Sequence, residues 1–408
     1  MNVWRVPYPK FGDGPGLARC AGVAAELGVD LRAFGESGAV IVGSNGKGST
    51  AAMCASLLRQ AGGGVGLFTS PHLFALNERF RIGDEDISDA ELRRHWKRVA
   101  GAIDACGVAS AIGGFEFLFL IAADWFAARN CAHTIWEAGI GGRLDPVKLV
   151  EAKHVALTAL DFEHTSLLGE TLEAIAIEKV MAAPRGGRLF VGAGAAPERS
   201  VVRQAIDGYC AGHDIKADYI EPLDRSIALA GEHQRANAAL ALSLARALAP
   251  LSEAQVDAGM QSIRWAGRLE VLSDDPLIVI DVGHTPVAVR AALTGFEAMR
   301  AAREAVLVCG VSTDKDASAI IDQLAPAFGT IICAAAQHKG ASAASIAMHA
   351  RKANPGAEIA IAESISDARA LAMQKAKGGA TYVAGGLFLA AEFKAVHLGR
   401  DPATLVFF

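Results

Sequence analysis

No CxxC pair occurs in this sequence, and its seven cysteines (20, 54, 106, 131, 210, 309 and 333) are scattered and odd in number. That spacing excludes a zinc ribbon or a disulfide frame and leaves small core residues in a reducing compartment. A basic block or stripe is missing too. Thirty-nine Lys and Arg are mixed with 44 Asp and Glu for a net charge of −5, so nucleic acid is not expected as a partner. The opening segment 1–7 has no apolar core of signal-peptide length. The most apolar run, Phe115 to Ala128, is interrupted by Glu116 and Asp124 and is too short to span a bilayer. A cytoplasmic protein without a membrane partner is expected. Internal repeats, heptads and low-complexity segments are lacking, which sets aside solenoids and coiled coils.

What remains is a chain rich in material for buried sheets: 52% of its residues are hydrophobic, and Gly and Ala are abundant. At 408 residues it is long for one core, so two domains are expected. Short β-branched runs alternate with helical stretches. Ala39–Val42 precedes a helix near Ser49–Gln60, Thr134–Trp136 precedes a Gly-rich loop, and Val155–Leu160 precedes the helical stretch Thr171–Ala182. A second series begins at Leu277–Ile280 and continues through 305–309, 330–335, 358–361 and 380–384. Helical stretches at 231–248 and 252–263 lie between the two series. Such alternation predicts α/β domains with mostly parallel sheets. The boundary is placed near Arg268, giving domains 1–268 and 269–408, with ligands at strand carboxyl ends and in the cleft between domains.

The first strand runs into Gly43-Ser44-Asn45-Gly46-Lys47-Gly48-Ser49-Thr50 and then a helix. Glycines let backbone N–H groups approach phosphate oxygens, the helix N-terminus favours an anion, and lysine adds a point charge. The spacing is not GxxxxGK[ST], because position 41 is Ile and Gly48 follows the lysine. A plain Gly-rich turn explains the glycines but not Asn-Gly-Lys-Gly-Ser in this setting. No GxGxxG follows the first strand, which argues against a dehydrogenase. Glu137, between a strand and glycines, suits either a metal-binding carboxylate or a solvated strand end.

The loop closely resembles G-T-N-G-K-G-S of the folylpolyglutamate synthase/dihydrofolate synthase family, a branch of the Mur ligases. Further matches follow in family order: Phe68-Thr69-Ser70-Pro71-His72-Leu73, Asn77-Glu78-Arg79-Phe80, Glu137-Ala138-Gly139-Ile140-Gly141-Gly142-Arg143-Leu144-Asp145, His164-Thr165, Glu178-Lys179, Asn237-Ala238-Ala239 and Gly267-Arg268-Leu269-Glu270. They cover residues 43 to about 390. The resemblance implies a larger N-terminal P-loop ATPase domain with a parallel sheet and a smaller C-terminal Rossmann-like α/β domain. It implies an ATP- and Mg2+-dependent ligase that joins a folate- or dihydropteroate-like carboxylate to a glutamate-like amino acid through an acyl phosphate. In such a monomeric enzyme, residues Ser44 to Thr50, Asn237, Arg268 and Asp281 would bind ATP, and Ser70, Glu137 and His164 would bind magnesium. Lys47, Lys179 and His164 would serve catalysis, with Lys179 carried as a carbamate. For Lys179 a surface position on an amphipathic helix is the competing reading. For Asp281, an N-cap is as suitable as a sugar hydroxyl. Phe115, Glu116, Arg143, His284 and Thr285 fall where substrates are expected.

Departures from the family cluster at that substrate end. D-x-A-H-N-P becomes Asp281-Val282-Gly283-His284-Thr285-Pro286, and D-A-T-N becomes Asp145-Pro146-Val147-Lys148. L-D-H-T becomes Phe162-Glu163-His164-Thr165, T-x-F-E becomes Gly113-Gly114-Phe115-Glu116, and G-S-L-Y becomes Gly385-Gly386-Leu387-Phe388. Drift, a paralogue acting on another acid or amine, and a nucleotide-binding protein without turnover are the readings these departures leave open.

Overall fold

The computed structural model describes residues 4–407, so the first three residues of the opening segment and residue 408 lie outside it. Two sheets organise the chain. The first holds β1 (Gly38–Val42), β2 (Val65–Phe68), β3 (Phe80–Ile82), β4 (Glu85–Asp86), β5 (His133–Glu137), β6 (His154–Leu157), β7 (Arg188–Gly192) and β8 (Lys216–Ile220). Their order is β4-β3-β2-β5-β1-β6-β7-β8, parallel from β2 to β8 with β3 and β4 antiparallel at one edge. The second holds β9 (Glu270–Asp274), β10 (Leu277–Ile280), β11 (Ala305–Cys309), β12 (Thr330–Cys333), β13 (Glu358–Ile361) and β14 (Ala380–Ala384), ordered β13-β12-β11-β14-β10-β9 with only β9 antiparallel.

The central strand β1 is buried along its whole length, as a β-branched run covered on both faces must be. One face packs on helices Lys47–Ala61, His233–Leu248 and Glu253–Ser262, through Leu57, Leu58, Leu244 and Met260. The other carries the aromatic cluster of Phe68, Phe119, Phe126 and Trp136. The apolar run read at Phe115–Ala128 is the helix Gly114–Ala128 of that core. Its two charges are both paired: Glu116 with Arg19, and Asp124 with His95 and Arg98. Among the described residues no helix is long and apolar enough to cross a membrane.

Strand ends differ from the sequence expectation at two functional places. Glu137 is the last residue of β5, where it pairs in register with Ile41, instead of following the strand. The strand expected to reach Leu160 stops at Leu157, because the Thr158 hydroxyl turns to the carbonyls of Val42 (3.3 Å) and Asn45 (2.6 Å). Strand β2 escaped the reading through Gly66, which weakens a strand signal. A Cβ there would come 2.8 Å from the Phe126 ring, so the close approach of the helix requires glycine.

Candidate functional site

The carboxyl ends of β1, β2, β5 and β6 open into one cleft of about 1510 Å3, closed on its other side by residues of the second sheet's loops. Of the residues singled out from sequence, all but Thr50, Lys179 and Thr285 line it. Those three lie behind its wall, each for a physical reason given below.

Residues 43–46 turn sharply, with positive φ at Gly43 (147°) and Gly46 (87°), conformations that glycine adopts without a Cβ penalty. A side chain at Gly46 would strike Asn237, which is distant in sequence but against the loop in space. The helix then begins at Lys47 with no side-chain cap, leaving its first N–H groups for a ligand. Lys47 Nζ donates to the carbonyls of Gly43 (2.8 Å) and Ser44 (3.2 Å). Ser44 Oγ donates to Asp161 O at 3.1 Å. Thr50 is fully buried, and its hydroxyl has no hydrogen-bond partner among the described residues.

Lys179 sits beneath this loop, 1% exposed, which removes the surface reading. Helix Leu172–Val180 delivers it, and Nζ donates to Gly43 O (3.0 Å) and Glu163 Oε1 (2.7 Å). Burial lowers its pKa to about 8, helped by Lys47 and opposed by Glu163. Burial raises the Glu163 carboxyl, but Lys47 and Lys179 outweigh that and hold it at about 2. Sequence reading noted Glu163 only as a departure from Asp. Its place between two lysines makes it part of the site, and the adjacent His164 was the signal.

Glu137 and Ser70 are brought together: the backbone Ser70 N donates to Glu137 Oε2 at 2.9 Å. Glu137 is 4% exposed, and burial raises its pKa against the pull of Lys47, Arg268 and Arg79. A buried carboxylate beside a serine, open to the cleft, is an oxygen donor set that fits a hard divalent cation keeping most of its waters. His164, the third residue expected there, lies in the same cleft. No group of three His, Cys, Asp or Glu side chains placed to hold a metal occurs among the described residues. His164 stands exposed in the cleft in a left-handed conformation (φ 47°). Partial burial lowers its pKa, reinforced by Lys315, Lys10 and Lys179 and opposed by Glu163.

Asp145, also outside the expected set, organises the glycine loop after β5. Its carboxylate accepts from the backbone of Gly139 (2.8 Å), Ile140 (3.1 Å) and Val147 (3.1 Å), and burial raises its pKa to about 6. Asp281 does the same for the second domain, accepting from Gly283 N (2.7 Å) and Leu269 N (3.1 Å) at 4% exposure. These are loop amides and not the helix N-cap expected from sequence, since helix Pro286–Arg300 is capped by Thr285. Arg268 faces the cleft with no hydrogen bond or ion pair from its side chain among the described residues.

At the substrate end the carboxylate of Glu116 is engaged by Arg19 (2.6 and 2.7 Å) and Gly113 N (3.0 Å), and Phe115 packs on Phe68 with centroids 5.6 Å apart. Arg143 lies exposed at the rim, 2.7 Å from Glu178. The His284 Nδ1–H donates to Val282 O (3.2 Å), and burial with Lys315 nearby lowers its pKa to about 4. Thr285 caps helix Pro286–Arg300 through Ala288 N (3.3 Å) and receives Asn45 Nδ2 at 3.4 Å. That places it behind the cleft wall as a link between the phosphate loop and the second domain.

The chain is similar to proteins of one kind throughout. Residues 267–387 match the family model described as Mur ligase, glutamate ligase domain. Folylpolyglutamate synthase of Lacticaseibacillus casei is 30% identical over 320 residues, 71% of this chain and 74% of that one. A probable bifunctional folylpolyglutamate synthase/dihydropteroate synthase of Halobacterium salinarum is 35% identical over 301 residues, 68% of this chain; the chain spans only 37% of that longer relative. Among solved structures, Mycobacterium tuberculosis folylpolyglutamate synthase complexed with ADP and AMPPCP superposes with a TM-score of 0.86 at 25% identity, covering 95% of this chain and 96% of the other. A bifunctional folylpolyglutamate synthase/dihydrofolate synthase with Mn, AMPPNP and L-glutamate bound gives 0.81 at 27% identity, covering 97% and 99%. The chain belongs to the folylpolyglutamate synthase/dihydrofolate synthase family of the Mur ligases.

Proposed function

We propose that the chain is an ATP-dependent ligase joining a folate- or dihydropteroate-like carboxylate to a glutamate-like amino acid. The observation that carries this reading is the set of Lys47, Lys179 and Glu163 packed around one carbonyl of the phosphate loop, with Glu137 facing the same cleft. In the first step a carboxylate oxygen attacks the γ-phosphorus of ATP and ADP leaves. In the second, the amino nitrogen attacks the acyl carbon, loses a proton, and phosphate departs. The first step brings two anions together, so fixed cations must offset their repulsion. Lys47 serves that role at the loop, and Arg268, unpaired and facing the cleft, meets nucleotide phosphate from the domain junction. Glu137 and Ser70, with His164 toward the open cleft, would hold a divalent cation that neutralises phosphate charge when bound. Residues 44–50, Asn237 and Asp281 frame the nucleotide. Phe115, Glu116, Arg143 and His284 face the acid and the amine, with Arg19 holding the Glu116 carboxylate, while Thr285 acts from behind the wall through Asn45.

Two finer readings belong with this one. The lowered pKa of Lys179 favours the neutral amine that carbamate formation requires, and the domains divide near Arg268 into 1–268 and 269–408. The decisive experiment screens acids against amino acids and reads ATP-dependent amide formation by mass alongside phosphate release. A folate-type acid with glutamate is the pair expected to react. Tight ADP binding with no amide from any pair would favour the nucleotide-binding alternative.

A further inference from the structure

The loop between β2 and β3 belongs to the first sheet in sequence but is buried in the second domain. Leu73 is 5% exposed and packs with Ile278, Val282 and Leu389, and the same cluster takes in Leu405 and Phe407. Phe407 stacks on His72 with centroids 6.1 Å apart and 8° between planes, and its other neighbours are His338 (5.0 Å) and Phe388 (4.7 Å). On one side of the His72 ring, Nε2 lies 2.7 Å from Val406 O; on the other, Arg79 Nε lies 2.9 Å from Nδ1. Arginine only donates, so Nδ1 is the acceptor and Nε2–H donates to Val406 O. Burial and the Arg79 charge push the His72 pKa to about 3, so the ring is neutral at any working pH. Glu78 fixes the loop from within, its carboxylate accepting from Leu73, Phe74 and Ala75 N. Arg79, 3% exposed, attracts Glu137 electrostatically.

We propose that His72 is a positioning residue that carries the docking of segment 405–407 to Glu137. By holding the Arg79 guanidinium through Nδ1, it keeps that cation from closing onto the Glu137 carboxylate and so sets the carboxylate's affinity for a divalent cation. The inference rests on Glu137 being a metal ligand.

The test is Mn2+ binding to the ADP complex, read from the electron paramagnetic resonance signal of free Mn2+, with melting temperature followed in parallel. His72→Leu should raise the Mn2+ Kd about tenfold, the size expected when a buried charged hydrogen bond is lost. His72→Gln, whose amide offers an acceptor and a donor in place of the two ring nitrogens, should stay within about twofold. Phe407→Ala should weaken binding about threefold. Unchanged Mn2+ affinity in folded His72→Leu or in Phe407→Ala overturns the proposal, as does an equal loss in the Leu and Gln variants. If His72→Leu does not fold, Phe407→Ala decides alone. Glu137→Gln separates the two ideas. Intact Mn2+ binding there removes the metal-ligand reading itself, whereas its loss with normal His72 and Phe407 variants removes only the relay.

Discussion

The two walls of the cleft are built on different terms. On the phosphate-loop side, ionised groups are buried and satisfy one another: Lys47 and Lys179 share Gly43 O, Lys179 holds Glu163, and Ser70 N meets Glu137. On the second-domain side, Arg268 projects unpaired, His284 is neutral, and Gly386 has no heavy atom nearer than 3.8 Å to where a Cβ would stand. In the first region each charge sets its neighbours' protonation, so one substitution disturbs several groups. In the second, side chains can change with little cost to the fold. Departures such as Gly386 fall on that permissive side, whereas the one inside the buried network, Glu163 for Asp, keeps the carboxylate that Lys179 requires.

The sharpest way to break the comparison is Lys47→Ala. On the interdependent side, removing the point charge also takes the lysine donor from Ser44 O and leaves Gly43 O to Lys179 alone. kcat for amide formation should fall by more than about a hundredfold, with the circular dichroism spectrum unchanged. A well-folded variant with near-normal turnover would mean that the loop lysine does not act on phosphate.

A smaller effect sharpens the same side. The pKa of Lys179 is lowered from 10.5 to about 8, so its amine loses a proton as pH rises through about 8. If a carbamate forms there, activity at limiting bicarbonate should climb between pH 7 and 9. Lys179→Ala should lose activity and regain part of it with a small added carboxylic acid. Glu163 raises the Lys179 pKa more than Asp145 does, so Glu163→Gln should move the inflection below 8. An inflection indifferent to both bicarbonate and Glu163 would rule out the modification, and intact-protein mass at each pH reads it directly.

The same contrast governs what could be read from sequence. Parallel core strands such as Leu277–Ile280 and Ala380–Ala384 were legible because burial on both faces makes them continuous apolar runs. Edge strands β8 and β9, with their exposed polar residues, and the glycine-bearing β2 carried no such pattern. The phosphate loop was legible because its chemistry is local: glycine, lysine and a helix start within eight residues. Glu163, Asp145 and Arg79 act through partners that tertiary structure alone supplies. Thr285 shows the limit from the other direction. Its sequence position pointed to the substrate, but an N-cap hydrogen bond and Asn45 hold its hydroxyl behind the wall.

The smallest effect concerns the open wall. Gly386 stands before helix Leu387–His397 with no side-chain cap, in extended backbone that any residue adopts. A serine there has room and would cap the helix, so Gly386→Ser should be neutral or slightly stabilising, by about 1 kcal/mol at most. Its hydroxyl would also face the cleft near Ser312, 3.8 Å from the new Cβ. Thr285→Asn keeps an N-cap residue and adds an amide that offers both donor and acceptor. A site that gains hydrogen-bonding groups discriminates more strongly against ligands that leave them unpaired. The unmodified protein should therefore use glutamate less selectively than a typical family member, and the double variant should raise kcat/KM for glutamate over competing amino acids by about threefold to tenfold. Because Thr285 lies behind the wall, most of that gain should come from Gly386→Ser alone. Equal selectivity in the parent and in both variants would show that these positions drifted without consequence, and that choice of amine is made elsewhere in the cleft.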